Sequence, residues 1–220
     1  PYNQERSNFW SKLVAAFVNG NSLITYFTMA QVEANHSING MFYILPVNLV
    51  KDQDLFTAIK DYLCDDLAVA DFLSSKGVSI VQPRVTCNVR TTIKSATQYL
   101  LQMKRWLLFS SIYLKKHLDF KVFTLIGLTS FLPLPIILLT LFLGWPYLLL
   151  VFVLLGFKAV WMLLYRQSIL SNRLHLDEVI YEVMNDFLLP WLFICVLMTP
   201  PVIHWRGRKI RVTDGKIRYE

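Results

Sequence analysis

Hydrophobic and polar positions fall into three stretches: a mixed front (residues 1–121), an apolar middle (122–203) and a short basic tail (204–220). In the front, the spacing of apolar residues predicts a helix from Phe9 to Ala30 and one or two helices between Asp54 and Lys76, closed by Gly77. The apolar run Met41 to Pro46 suits a buried strand, and Val78 to Val89 reads as extended around Pro83. Ser95 to His117 carries Tyr99, Leu100, Trp106, Leu107, Ile112 and Tyr113 among Lys104, Arg105, Lys115 and Lys116, the pattern of a basic amphipathic helix expected to lie along a membrane surface. Strand and helix signals together predict half of an α/β domain.

The middle has another character. No charged residue occurs from Val122 to Phe157, and the apolar run reaches Tyr165 with Lys158 as its one interruption. Such a stretch is about twice the ~20 residues that cross a bilayer, so two spans are expected, about 122–144 and 146–165, turning near Gly144-Trp145-Pro146, with Pro133 and Pro135 kinking the first. Arg166 to Asp186 is polar and amphipathic, and a third apolar block, 187–203, contains Pro190, Pro200 and Pro201. The tail holds Arg206, Arg208, Lys209, Arg211, Lys216 and Arg218, and short basic segments favour the cytosolic side, as does the basic stretch before Val122. Three crossings would part these two ends. Either the third block is re-entrant or interfacial, or the proline-bearing first segment fails to cross. Within the tail, Lys209-Ile-Arg-Val and Lys216-Ile-Arg-Tyr flank Thr213-Asp214-Gly215, which predicts a β-hairpin folded back on the cytosolic domain.

Composition makes this a membrane protein: 55% of the 220 residues are hydrophobic and 14% aromatic. The net charge of +7 borders apolar stretches, which points to an anionic leaflet, and no nucleic-acid module is present. Cys64, Cys87 and Cys195 are odd in number and lack ligand spacing, so free thiols in a reducing compartment are expected. The sequon Asn35-His36-Ser37 is read as unused. Because Pro1 is preceded by no initiator Met or signal segment, the chain is expected to be a processed product or the C-terminal part of something longer.

Two short motifs bear on chemistry. Asp65-Asp66 opens an apolar helical pattern, where acidic residues ordinarily favour the helix dipole; a carboxylate at a pocket edge also suits a base that deprotonates an attacking hydroxyl, and Asp66 is the candidate. Gln102, Arg105 and Trp106 lie within about one helical turn and are expected to face one cavity, Arg105 toward a leaving diphosphate, Trp106 against a sugar or acceptor. A snorkelling Arg beside an interfacial Trp is the plainer reading of the same residues. His36, His117, His175 and His204 show no acid/base or ligand spacing. His36 is placed at the acceptor entrance or in an exposed loop; Lys158 could pair with a carboxylate or a lipid headgroup, and snorkelling is the default expectation.

In combination these residues resemble a known family. Leu63-Cys64-Asp65-Asp66, followed by Lys76-Gly77 and then Gln102-Met-Lys-Arg105-Trp106, looks like the (E/D)D and (Q/R)xxRW motifs of GT-A glycosyltransferases of the family-2 type. The closest resemblance is to the ceramide glucosyltransferases of family 21: Asn39-Gly40-Met41 is similar to their TGM-type segment, and Trp205-Arg206-x-Arg208-Lys209-x-Arg211 to their WR-x-GRYR ending. The resemblance implies the C-terminal half of a GT-A domain joined to membrane helices, transferring glucose from UDP-glucose with inversion to a ceramide-like lipid hydroxyl on the cytosolic face. The membrane would be Golgi or endoplasmic reticulum in a eukaryote and the inner membrane in a bacterium. It implies Asp66 as base, with Asp65, Gln102, Arg105, Trp106, Gly40, Met41 and His36 around donor and acceptor. A divalent metal, Mg or Mn, is also implied, with ligands outside this chain: the one Asp-x-Asp, Asp52-Gln53-Asp54, stands where the family's metal motif does not belong and reads as solvated helix-start sequence. A nucleotide-binding N-terminal half is therefore expected in cis or in trans, and the chain alone is expected to bind donor poorly. A processive polysaccharide synthase and a non-catalytic membrane scaffold are the alternatives.

Overall fold

The computed structural model describes all residues except 1, 32–35, 41, 52–53, 84, 171–174, 206, 214 and 220. Readings that fall on Asn35, Met41, Asp52, Gln53, Arg206 and Asp214 lie outside the described residues. The front begins with β1 (Tyr2–Asn3) and α1 (Phe9–Ser22), which runs through π-helical Leu23–Thr28 into α2 (Met29–Gln31). Next come α3 (Val47–Lys51), α4 (Leu55–Ile59), α5 (Asp65–Ser75), β2 (Asn88–Val89) and α6 (Ala96–His117). The middle holds α7 (Phe120–Val122), π-helical Phe123–Leu128, α8 (Thr129–Phe131), α9 (Pro133–Leu143), α10 (Trp145–Leu170) and α11 (Asp177–Met198). Strands β3 (Val202–Trp205), β4 (Arg208–Thr213) and β5 (Lys216–Tyr219) close the chain.

Local chemistry sets several boundaries where the sequence placed them. Asn8 and Ser95 accept from the N–H groups of Ser11 and Gln98 and so cap α1 and α6. Gly77 at φ 70° follows α5, and Gly144 at φ 102° makes the turn between α9 and α10; both conformations are strained for a residue with a Cβ. Tyr99, Met103 and Leu107 recur every four residues on α6 and pack against Leu13, Val14 and Phe17 of α1 and against Phe193 and Val196 of α11. Ile203, Ile210 and Val212 of the terminal sheet complete this core. Ile38, Leu55, Ile59, Val69 and Leu73 form a second, smaller one.

Other expectations need correction. The α/β half domain is mostly helical: β1 and β2 pair in parallel over only two residues each, and residues 42–46 are irregular, not a strand, with Phe42 and Ile44 exposed. An apolar run without a neighbouring ladder has nowhere to place its backbone hydrogen bonds as a strand.

Helix lengths bear on which segments could span. Among the described residues, three helices are long and apolar enough to cross a membrane: Phe9–Gln31, Trp145–Ile169 and Asp177–Met198. The first of these is mostly covered by the protein's own core, while α10 and α11 expose large apolar side chains. The first segment expected to span, 122–144, is interrupted before Pro133 and leaves only an eleven-residue apolar helix, α9. The third block forms no separate element. It belongs to α11, which begins at Asp177, runs unbroken through Pro190 and ends at Met198; Ile203 is in β3.

The expected hairpin is present, with Thr213 opposite Lys216 across a two-residue turn and Gly215 at φ 78°. A third strand, β3, pairs antiparallel with β4. Lys158 does not snorkel: its Nζ lies 2.7 Å from Asp186 Oδ1 on α11, because an amine among packed helices is better neutralised by a carboxylate than left unpaired.

Candidate active site

A cavity of about 300 Å³ lies between the α1–π-helical segment, the 37–40 segment, the start of α5 and one face of α6. Asp66 and Asp65 line it together with Gly40, Cys64, Tyr26 and Trp106. Sequence-distant motifs thus meet in space. Asp65 is exposed and Asp66 half-buried.

The hydrogen bonds of Asp66 divide its two oxygens. Oδ1 accepts from the Leu67 N–H at 2.8 Å and from the Cys64 thiol at 2.7 Å, while Oδ2 accepts from the Gly40 N–H at 3.1 Å. Burial first, and the Asp66 charge second, push the Cys64 thiol well above its ordinary range, which keeps it a protonated donor. Oδ2, with one bond to Oδ1's two, therefore retains lone-pair capacity. Neither Asp65 nor Asp66 acts as the N-cap, which is Cys64 and has no side-chain capping bond; both acids sit in the first turn, where the helix dipole favours negative charge.

The role of Gly40 is legible in the same geometry. A Cβ built on it would stand 3.0 Å from Asp66 Oδ2 and 3.3 Å from its Cβ. Gly40→Ala is expected to displace the carboxylate and lower turnover about tenfold with little change in thermal stability, a split that initial rates and a melting curve measure separately.

Gln102, Arg105 and Trp106 do not face one cavity. Trp106 alone of the three lines the Asp66 cavity, and its ring stacks on Phe17 at 5.6 Å. With the Gln102 amide oriented to satisfy its neighbours, its oxygen accepts from Trp106 Nε1 at 3.0 Å and from an Arg105 terminal nitrogen at 2.8 Å. The Arg105 guanidinium lies 4.5 Å from the Trp205 ring of β3, and burial pulls its pKa below the usual arginine range. A one-turn spacing puts side chains near one another, yet 100° per residue separates neighbouring positions, so adjacent Arg105 and Trp106 look to different sides of α6.

The terminal sheet is fastened to both motifs. The Leu63 N–H donates to Gly215 O at 2.9 Å, the Ile217 N–H donates to Asp61 O at 2.8 Å, and Tyr62 pairs with Lys216. These contacts hold the residues just ahead of Asp65-Asp66, while Trp205 holds Arg105. Cys64 and Trp205 stood in the quoted motifs without a role; only the fold assigns them one.

His36 is not at the cavity. Its ring stacks on His117 at 4.9 Å, and His117 Nε2 is 3.1 Å from Asp71 Oδ1, so two histidines without useful spacing in sequence become neighbours. Burial first depresses the His117 pKa, with Asp71 opposing and His36 adding to it. Asp54, the described end of the Asp-x-Asp triplet, precedes α4 at φ 50° without capping it through its side chain.

Among the described residues, no group of three or more His, Cys, Asp or Glu side chains is disposed to hold a metal ion. They do not make a centre for the divalent metal that the resemblance implies. The described residues lining the Asp66 cavity include no Lys or Arg.

Helices able to cross a bilayer, and beside them a cavity with mostly apolar walls and one carboxylate oriented by backbone and thiol donors, define the frame of a membrane-associated enzyme. The particular family follows from comparison: the model of glycosyl transferase family 21 matches residues 1–218, and the chain belongs to that family. It is a glycosyltransferase, which implies a nucleotide-sugar donor and an acceptor. Neither curated proteins nor solved structures yield a match.

Proposed function

We propose that the chain carries the acceptor side of a site that transfers glucose from UDP-glucose to the hydroxyl of a ceramide-like lipid at the cytosolic membrane face, in a GT-A type domain whose nucleotide side is supplied by elements beyond those described. The observation that carries this reading is Asp66, its Oδ1 occupied by two donors and its Oδ2 available in a cavity with mostly apolar walls. The acceptor hydroxyl gives its proton to Oδ2 as its oxygen bonds the anomeric carbon. The bond from that carbon to the diphosphate breaks, UDP departs, and attack from the opposite face inverts the centre. Trp106, backed by Phe17 and tied to Gln102, offers a flat apolar surface beside the carboxylate.

The test is product analysis. Membranes bearing the full-length protein, given labelled UDP-glucose and ceramide, are expected to form a lipid with a single β-linked glucose. A polymer of many sugars would establish the polysaccharide synthase instead, and labelling from another nucleotide sugar would overturn the donor.

A further inference from the structure

The last long helix, α11, is anchored to the front of the chain at both of its ends. At its start, Asp177 lies 2.8 Å from Lys12, Glu178 bonds Arg6, and the Tyr181 ring is 5.7 Å from that of Phe9, all at or just before the first turn of α1. At its end, Phe193 and Val196 share one core with Tyr99, Met103 and Leu107 of α6 and with Ile203 and Ile210 of the terminal sheet. A helix of 22 residues is about 33 Å long, as long as a hydrocarbon core is thick. Set along the bilayer normal, α11 would draw α1, the basic helix α6 and the terminal sheet across that core with it. Laid flat, it leaves them all on one side.

Helices α9 and α10 add an outer layer. α11 packs on α1 and α6, and α10 packs chiefly on α11 and α9. α10 buries Val151, Leu155, Ala159 and Leu163 at intervals of four, while Leu139 and Phe142 of α9 and Trp145, Phe152, Phe157 and Trp161 of α10 are exposed. No charge interrupts that exposed surface: none occurs from Val122 to Phe157, and Lys158 is turned to Asp186 at 2.7 Å. The turn between α9 and α10 suits hydrocarbon as well. The Gly144 N–H donates to Thr140 O at 3.0 Å, the Tyr147 N–H donates to Gly144 O at 3.2 Å, and Pro146 has no N–H to leave bare.

We infer that α9, α10 and α11 lie in the plane of the membrane as a layer inserted into one leaflet, the outer face of α9 and α10 among its acyl chains, and that α10 and α11 do not cross although they have the length to do so. An apolar face sunk below the headgroups, with its charges turned back toward the protein, is how a helix rests in an interface. Ile126, in the π-helical run that leads into α8 and α9, also lines the Asp66 cavity, so the layer and the cavity share a wall.

Single cysteines test this, placed in a background with Cys64, Cys87 and Cys195 replaced by serine and reacted with a membrane-impermeant maleimide in sealed vesicles that carry the terminal sheet outermost. His175→Cys and Thr199→Cys, at exposed residues flanking α11, are expected to react at rates that detergent changes by no more than about twofold. Labelling of His175→Cys only after detergent places the two ends of α11 on opposite sides and overturns the inference. Phe142→Cys should stay unlabelled in intact vesicles, and a bimane attached there in detergent before reconstitution should be quenched more by lipid brominated near the glycerol than by lipid brominated at the chain end. Labelling of Phe142→Cys in intact vesicles, from outside or by reagent sealed inside, overturns the inference, as does the reverse order of quenching, which means a hairpin dipping to the midplane. Quenching by neither lipid also overturns it, and crosslinking through the same cysteine would then show a second copy covering the face. Should either α11 variant fail to insert, Leu176→Cys with Thr213→Cys repeats the comparison at exposed positions outside the helix.

Discussion

Asp66→Asn is expected to lower glycosyl transfer by about 10²- to 10⁴-fold in the full-length protein, the range lost when a positioned general base is removed. The amide is isosteric with the carboxylate, and its oxygen still serves the Leu67 and Cys64 donors, while its NH2 at the position of Oδ2 neither takes a proton nor accepts from the Gly40 N–H. The helix should persist. Asp65 remains in the first turn of α5, and the charge lost from that turn is worth only about 0.3–1 kcal/mol. Initial rates at saturating donor and acceptor, with membrane extraction and a melting curve to show normal insertion and folding, make the comparison. A wild-type rate in this variant would remove Asp66 from the chemistry.

The second large effect concerns stability. Arg166 on α10 is 4% exposed and bonds Glu178 at 3.2 Å and also Glu182, itself 7% exposed, both on α11; Glu178 is shared with Arg6. Arg166→Ala removes the cation that bonds Glu182 among the described residues, and breaking a buried pair by removing one partner destabilises by about 3–5 kcal/mol. For a chain of this length that is a fall in melting temperature of about 6–20 °C in detergent. Adding Glu182→Gln to Arg166→Met should restore much of it, since no buried charge is then left alone. An Arg166→Ala melting curve that overlays the wild type would mean that these helices are held by apolar packing and not by the charge layer.

Several elements could be read from neighbouring residues alone. The α6 helix announces itself through Ser95, its apolar repeat and its basic end; the hairpin through alternation around Gly215; the α9–α10 turn through Gly144. Each is decided within a few residues, by a cap, a period or a positive φ. Residues 42–46 fail as a strand because a strand is a pairing, and the partner is not written in the run itself. Lys158 was read as snorkelling because its counter-charge, Asp186, comes 28 residues later on another helix. His36 and His117 carried no shared signal at all, yet they stack.

The candidate site divides in the same way. Asp66, Gly40 and Trp106 were singled out in sequence, and all three line the cavity; Arg105 was singled out with them, but α6 turns it away toward Trp205. By itself the sequence determined what is local and compositional: the apolar helices, the basic hairpin, the acidic first turn of α5 and the order of motifs that marks the family. Tertiary structure alone decided which oxygen of Asp66 is open, that the Cys64 thiol holds the other, and that the C-terminal sheet grips the residues leading to both motifs. The physical reason is that caps, turns and periodicity are short-range, whereas an oriented carboxylate depends on donors from segments 26 residues apart and on a strand more than a hundred residues downstream, brought together only by burial of the common core.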